Sequence, residues 1–295
     1  MTRALVLGGG GPVGIAWECG LLAGLAQGGV DLGDADYTLG TSAGAFVGAR
    51  LAMGAEAATL ADPIFADAER AVRHVNRTTQ KPPDLTKLMR LMVQAQEARR
   101  HPAEARAEIG AYALAAQTIS EEDFIESFGR TFASLPDDCW PARAFACTAV
   151  DAQSGAFQIW SRESGVGVTR AVAASCSVPG VYPPVTLNGR RWIDGGARSA
   201  TNADLAAGHD VVVILAVQLG EWTPGGALAR VFGRLDEEVQ SLMDGGATVV
   251  TLAPDEASRA AMGANLMSFH KRPDAARAGL AQGLADAAQL KRYWS

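Results

Sequence analysis

The chain has 295 residues, of which 48% are hydrophobic and 20% charged, enough apolar side chain for a large core and too much for a disordered protein. A formal net charge of -6 argues against nucleic acid as the main partner and gives no general attraction to anionic membranes, leaving only local, transient contact with a lipid surface. Cys19, Cys139, Cys147 and Cys176 lie far apart with no Cys-x-x-Cys pair, and the histidines add no ligand spacing, which predicts free thiols in a reducing compartment and no zinc site.

Residues 4–7 predict a first strand that runs directly into Gly8-Gly9-Gly10-Gly11-Pro12-Val13-Gly14. A helix is expected over 15–27, stopped by Gly28-Gly29. Residues 37–39 form a short second strand, and after Gly40-Thr41-Ser42-Ala43-Gly44 a helix covers 43–53. The stretch 56–130 is rich in Ala, Glu and Arg, is helical in pattern, and is broken at Pro82-Pro83 and at His101-Pro102. It reads as a helical insertion or cap within one domain spanning 1–295.

Strands are expected at 143–150 and 156–161 around the turn 151–155, followed by a helix at 168–175. A hairpin turns at Asn188-Gly189 into a strand over 190–193, which ends at Asp194-Gly195-Gly196. Runs 211–217 and 248–252 read as buried strands, and helical segments, including an amphipathic one over 227–243, continue to about residue 292. The longest apolar run, 211–217, suits a buried strand and is too short for a membrane span. The N-terminus passes straight into strand and glycines, without the apolar length of a signal peptide, so the expectation is a cytoplasmic protein. Strand–helix alternation of this kind predicts an α/β fold: three layers, α/β/α, around a mostly parallel sheet.

Gly40-x-Ser42-x-Gly44 matches the sharp strand-to-helix turn that lifts a serine hydroxyl clear of a sheet. The competing reading is a helix start on which Ser42 or Thr41 serves as cap. The glycine loop, with Gly9-x-Gly11-x-x-Gly14, suits either an oxyanion or a dinucleotide pyrophosphate. The dinucleotide reading requires an acidic residue after the second strand, whereas Asp34 and Asp36 precede it. For a base, His209 or His270 after Asp194 preserves the hydrolase order Ser, Asp, His, but both sit in turn-like contexts, and His74 and His101 fall in the helical insertion. Asp194 is the stronger candidate, placed after a strand and before Gly195 and Gly196. A second Asp-Gly-Gly, at Asp244-Gly245-Gly246, follows an amphipathic stretch and reads as a helix C-terminus.

On these residues the chain resembles the patatin-like phospholipase family. The resemblance rests on the loop at 8–14, Gly-Thr-Ser-Ala-Gly at 40–44, the segments 177–185 and 189–196, and the strand entry at 208–214. It implies a patatin-like fold and a Ser42–Asp194 dyad acting through an acyl-enzyme on a lipid or small ester, without cofactor. It also implies an oxyanion hole at Gly9, Gly10 and Gly11 with Ala43. The family's usual Arg or Lys before the last loop glycine is replaced here by Val13, which points to a neutral substrate or a low activity. Two alternatives stay beside it: an α/β-hydrolase with a Ser-His-Asp triad, and a binding module for a nucleotide or lipid in which Ser42 only caps a helix.

Overall fold

The computed structural model of the chain describes residues 1–73, 83–97, 102–132, 136, 139–217 and 234–294. Strand β1, Arg3–Leu7, is buried on both sides: Leu5 and Leu7 join one hydrophobic cluster while Ala4 and Val6 join another. That is the two-sided burial of a central strand in a parallel sheet. Helix α1, Gly11–Gln27, follows at once, with Gly10 at its N-cap and Pro12 in its first turn. It therefore starts four residues before the predicted 15, because proline's fixed φ is already helical and its missing N–H costs nothing at a helix start. Gly28 ends it as predicted.

The chain continues through β2 (Tyr37–Gly40), α2 (Ala43–Ala52), α3 (Asp62–Arg73), α4 (Thr86–Glu97), α5 (Pro102–Leu114) and α6 (Glu121–Phe132). Then come β3 (Phe145–Asp151), β4 (Phe157–Trp160), α7 (Val168–Ser175), β5 (Val185–Leu187) and β6 (Arg190–Asp194). The last elements are β7 (Val211–Leu215), α8 (Arg234–Asp244), β8 (Thr248–Leu252), α9 (Glu256–Met262) and α10 (Arg272–Trp294). The hairpin between β5 and β6 turns on Asn188 (φ 50°) and Gly189 (φ 71°), the two positive φ angles of the tight turn that Asn-Gly favours.

The sheet has eight strands in the order β5-β6-β3-β2-β1-β7-β8, with β4 also on β3. Strands β3, β2, β1, β7 and β8 are mutually parallel, whereas β4, β5 and β6 pair antiparallel. The sheet is thus mostly parallel, with an antiparallel end. Helices cover both faces: α1 and α10 pack with Leu5, Val213 and Leu215, while α8 packs with Val6, Val212 and Ile214. The helices described within 56–130 divide between the two faces, α4 and α5 with Val150 and Ile193, and α6 with α7, Cys147 and Ala149. The predicted breaks at Pro82 and His101, and the part of the 227–243 stretch before residue 234, lie outside the described residues. Among the described residues no helix is long and apolar enough to cross a membrane.

The pairing of β3 decides where the chain's C-terminal strand ends meet. Cys147 pairs with both Gly40 of β2 and Trp160 of β4, and Ala149 pairs with both Asp194 of β6 and Gln158 of β4. A strand has two hydrogen-bonding edges, and β4 occupies one of them past both residues. Strands β2 and β6 therefore share the other edge. Because β2 runs parallel and β6 antiparallel to β3, their C-terminal ends arrive head to head, two residues of β3 apart, or about 7 Å along the strand.

Helix α1 is enclosed on nearly every side, with 13 of its 17 residues buried, Glu18 the one charged type among them. Helices α1 and α10 approach so closely that a Cβ on Gly24 would lie 2.2 Å from the Leu280 carbonyl oxygen. Gly24→Ala is expected to destabilise the protein by about 1–3 kcal/mol through overpacking. Gly129→Ala, on α6 where nothing lies within 4 Å of the added methyl, is expected to stabilise it by about 0.5–1 kcal/mol. Urea unfolding of the two variants checks the opposite signs.

Candidate active site

Ser42 stands between β2 and α2 with φ 54° and ψ −115°, a backbone conformation that a non-glycine residue holds at a cost of order 1–3 kcal/mol. The turn is fastened from several sides. The Ser42 N–H donates to Ser175 Oγ at 3.0 Å, and its carbonyl accepts from the Cys176 thiol at 3.1 Å. The Gly44 N–H donates to the Gly8 carbonyl at 3.0 Å, and a Cβ on Gly44 would lie 2.1 Å from the Leu7 carbonyl oxygen. Only a glycine lets α2 start this close to β1. The Ser42 hydroxyl makes no capping bond to α2, so the reading of Ser42 as a helix cap has no hydrogen bond behind it.

Asp194 ends β6 and is 5% exposed. Its N–H donates to the Ser177 carbonyl at 3.0 Å, and its Oδ1 accepts from the Gly196 N–H at 2.7 Å, on the turn that Gly195 opens. Burial pushes its carboxyl from the ordinary range up to about 6; the Ser42 hydroxyl, which it faces, and the Gly196 N–H pull in the opposite direction without cancelling the rise. The structure thus brings Ser42 and Asp194 together from positions 152 residues apart.

The glycine loop closes the same space from the side of β1. Gly9 lies against Ser42, since a Cβ built on it would be 3.4 Å from Ser42 Cβ. Its N–H, however, donates to the Ala200 carbonyl at 2.7 Å. The Gly14 N–H is taken by the Gly10 carbonyl at 2.8 Å, as the first turn of α1 closes. The N–H groups of Gly10, Gly11 and Ala43 have no acceptor among the described residues. They sit at or beside the starts of α1 and α2, so two positive helix ends converge where Ser42 stands.

The other candidates fall elsewhere. His209 precedes β7, so it lies at the N-terminal edge of the parallel strands, a full strand length from Ser42; its Nδ1 meets the Ala206 carbonyl at 2.9 Å and its ring stacks on Tyr37. His270 is an exposed residue of a short turn before α10, and His74 and His101 lie outside the described residues. Asp244 closes α8, with Gly246 at φ 91° completing the stop. Asp36 accepts the Arg3 N–H at 2.7 Å ahead of β2. Among the described residues no group of His, Cys, Asp or Glu is placed to hold a metal ion. Sequence reasoning passed over Ser175 and Cys176, which grip the Ser42 backbone; their one signal was the adjacency of Ser175-Cys176-Ser177 to the motif segment that follows.

A family model described as patatin-like phospholipase matches residues 5–207. No curated protein matches the sequence. Among solved structures, VipD from Legionella pneumophila is similar at a TM-score of 0.46 and 14% identity, over 98% of this chain and 67% of that one. The type III effector protein ExoU is similar at a TM-score of 0.39 and 18% identity, over 97% of this chain and 53% of that one. ExoU in the heterodimeric ExoU-SpcU complex from the type III secretion system of Pseudomonas aeruginosa gives a TM-score of 0.37 and 18% identity, over 98% and 52%. The chain therefore spans about half the length of the ExoU chains.

The raised carboxyl has a consequence for stability. Folding binds protons onto Asp194 between the ordinary carboxylate range and about pH 6, so its ionised form costs the folded state a few kcal/mol above that range, roughly 3. Asp194→Asn keeps the acceptor for the Gly196 N–H and removes that cost. It is expected to be more stable than the parent by up to roughly 3 kcal/mol at pH 7.5 and to lose this advantage toward pH 4, as read by denaturant unfolding across pH.

Proposed function

The chain belongs to the patatin-like phospholipase family, and on that premise we propose that it is a lipid acyl hydrolase working through Ser42, Asp194 and an acyl-enzyme. The observation that supports this most is the buried Asp194 facing a serine that stands on a strained turn with no capping duty. A carboxylate near its ordinary pKa is a feeble base for a hydroxyl; one raised to about 6 is still ionised at neutral pH and takes a proton more readily.

In the proposed reaction Ser42 Oγ attacks the ester carbonyl carbon while its proton passes to Asp194. The oxyanion that forms is met by the N–H groups of Gly10, Gly11 and Ala43. Because the Gly9 N–H is held by Ala200, the share expected of Gly9 passes to these neighbours. One such donor is worth about 3 kcal/mol of transition-state stabilisation. Collapse of the intermediate breaks the ester bond, and Asp194 returns the proton to the departing alcohol oxygen. Water then attacks the acyl-serine, giving its proton to Asp194, and the second collapse releases the acid and restores Ser42.

Val13 bears on the substrate. Its side chain is fully buried in the cluster that holds α1 against the sheet, and its N–H donates to the Leu266 carbonyl at 3.1 Å. A side chain that points into this core leaves no cation at position 13 for an anionic head group, which supports a neutral lipid or small ester as substrate. Buried Cys19, Cys147 and Cys176, with Cys19 raised to about 11 by burial, are inert thiols that suit a reducing, cytoplasmic setting.

Ser42→Ala and Asp194→Asn are each expected to reduce hydrolysis of a p-nitrophenyl ester by at least about 1,000-fold, and a fluorophosphonate is expected to label the parent at Ser42. The parent's kcat/KM is expected to fall about tenfold per pH unit below about 6, as Asp194 takes up its proton. Full activity in either variant would sink the mechanism, and His209→Ala is expected to leave the rate unchanged.

A further inference from the structure

We propose that Asn202 is the positioning residue that fixes how Ser42 and Asp194 face each other. This rests on the reading of those two residues given above. Asn202 is fully buried, and it holds the left-handed conformation, φ 52° and ψ 35°, which asparagine tolerates better than other non-glycine residues. Its side chain hydrogen-bonds to neither Ser42 nor Asp194; it holds the residue next to each.

The Asn202 amide is the crossing point of four parts of the fold. Its Nδ2 donates to Thr41 Oγ1 at 3.0 Å, beside Ser42, and to the Ser199 carbonyl at 2.8 Å. The same nitrogen lies 3.4 Å from the Gly195 carbonyl, beside Asp194, and 3.4 Å from Thr148 Oγ1 on β3. Thr41 and Thr148 share a further hydrogen bond of 2.9 Å between their hydroxyls. Asn202 Oδ1 is fixed in turn by Arg198 Nη1 at 2.7 Å, and Arg198 is clamped by Asp204. The neighbouring Ala200 carbonyl takes the Gly9 N–H, and Glu238 anchors the same segment through Thr201 Oγ1 at 2.6 Å and the Ala203 N–H at 2.9 Å.

Thr41, Thr148 and Asn202 are all buried to within 0% exposure, so no water competes for their polar atoms and each contact has one good geometry. The amide therefore ties the end of β2 to the end of β6 just where the two strands stop pairing with β3. Backbone pairing sets their register on β3, but each site residue lies at or beyond the last paired position, where side chains must supply the constraint. A displacement of the order of 1 Å between nucleophile and base lowers a rate about 100-fold without weakening substrate binding in proportion.

The test uses the full chain with Asn202→Gly, which keeps the left-handed backbone, and Thr41→Val, which removes the same hydrogen bond from its other end while keeping the shape. Hydrolysis of p-nitrophenyl butyrate is expected to show kcat reduced about 10- to 100-fold in each variant, with KM within about twofold of the parent. The double variant is expected to lose clearly less than the product of the two single losses, because both remove the Thr41–Asn202 bond. Carboxyl carbon NMR gives a second readout: the Asp194 titration is expected to move upward in both Asn202→Gly and Ser42→Ala, because both withdraw the hydroxyl that holds it down. Parent-like kcat in folded Asn202→Gly, additive losses in the double variant, or an unmoved Asp194 titration each overturn the proposal. Retained hydrolysis in Ser42→Ala overturns the functional reading instead, and the carboxyl titration then still decides for or against Asn202.

Discussion

One edge of β3 serves two strands, and the rest of the site depends on that division. Over its first half β3 accepts β2 in parallel, and over its second half it accepts β6 in antiparallel, while β4 runs along the opposite edge past both. Two strands that share an edge cannot overlap, so each must stop where the other begins. Gly40 and Asp194 are those stops. The chain leaving β2 has to turn at once, which gives Ser42 its strained φ, and the carboxylate ending β6 is roofed by that turn, which gives Asp194 its burial. The nucleophile-like geometry and the raised carboxyl are thus two results of a single packing constraint.

Much of this could be read from the sequence because the local signals are strong. The helix at 168–175 and the strand at 248–252 come out with the predicted bounds, and Asn188-Gly189 turns the hairpin that delivers Asp194. Asp194 was separable from Asp244 by what precedes each, a β-run in one case and an amphipathic helix in the other. The reason was nonetheless incomplete. In a parallel sheet a strand's C-terminal end marks the functional edge, but β6 is antiparallel, and its end reaches that edge only through its offset on β3. Pairing partners 41 and more residues apart leave no periodicity to read. For the same reason Ser175, Thr148 and Asn202 were invisible: they act on Ser42 or Thr41 across 107 to 161 residues. The early start of α1 was within reach, since Pro12 in a glycine run is itself a helix-start signal.

The site is held in a state the local chain disfavours. Ser42 and Asn202 both take positive φ, and a carboxylate is ionised out of water at neutral pH. These costs are tolerable because the surroundings are dense and apolar. Helix α1 lies with its backbone against α10, and β1 is sealed on both faces, so the loop ends that carry the site hang from elements that cannot drift. The turns at Ser42 and Asn202 are therefore strained on a stiff frame.

The segment 198–203 carries that stiffness to the one place the sheet does not reach. Where β2 and β6 end, no ladder continues, and the polar groups of the two turns need partners in the absence of solvent. A hydrophobic plug would fill the space but take away the donor that Thr41 Oγ1 and the Ser199 carbonyl accept from, and the acceptor that Arg198 Nη1 uses. An amide has the right complement, two donors and an acceptor in one plane, and Asn202 spends all of them within the site while the adjacent Ala200 carbonyl takes the Gly9 N–H. That last bond pins Gly9 by its N–H, while the next amides, of Gly10 and Gly11, keep no acceptor among the described residues. The same short segment thus holds Thr41 beside Ser42, the Gly195 carbonyl beside Asp194, and the Gly9 N–H of the glycine loop.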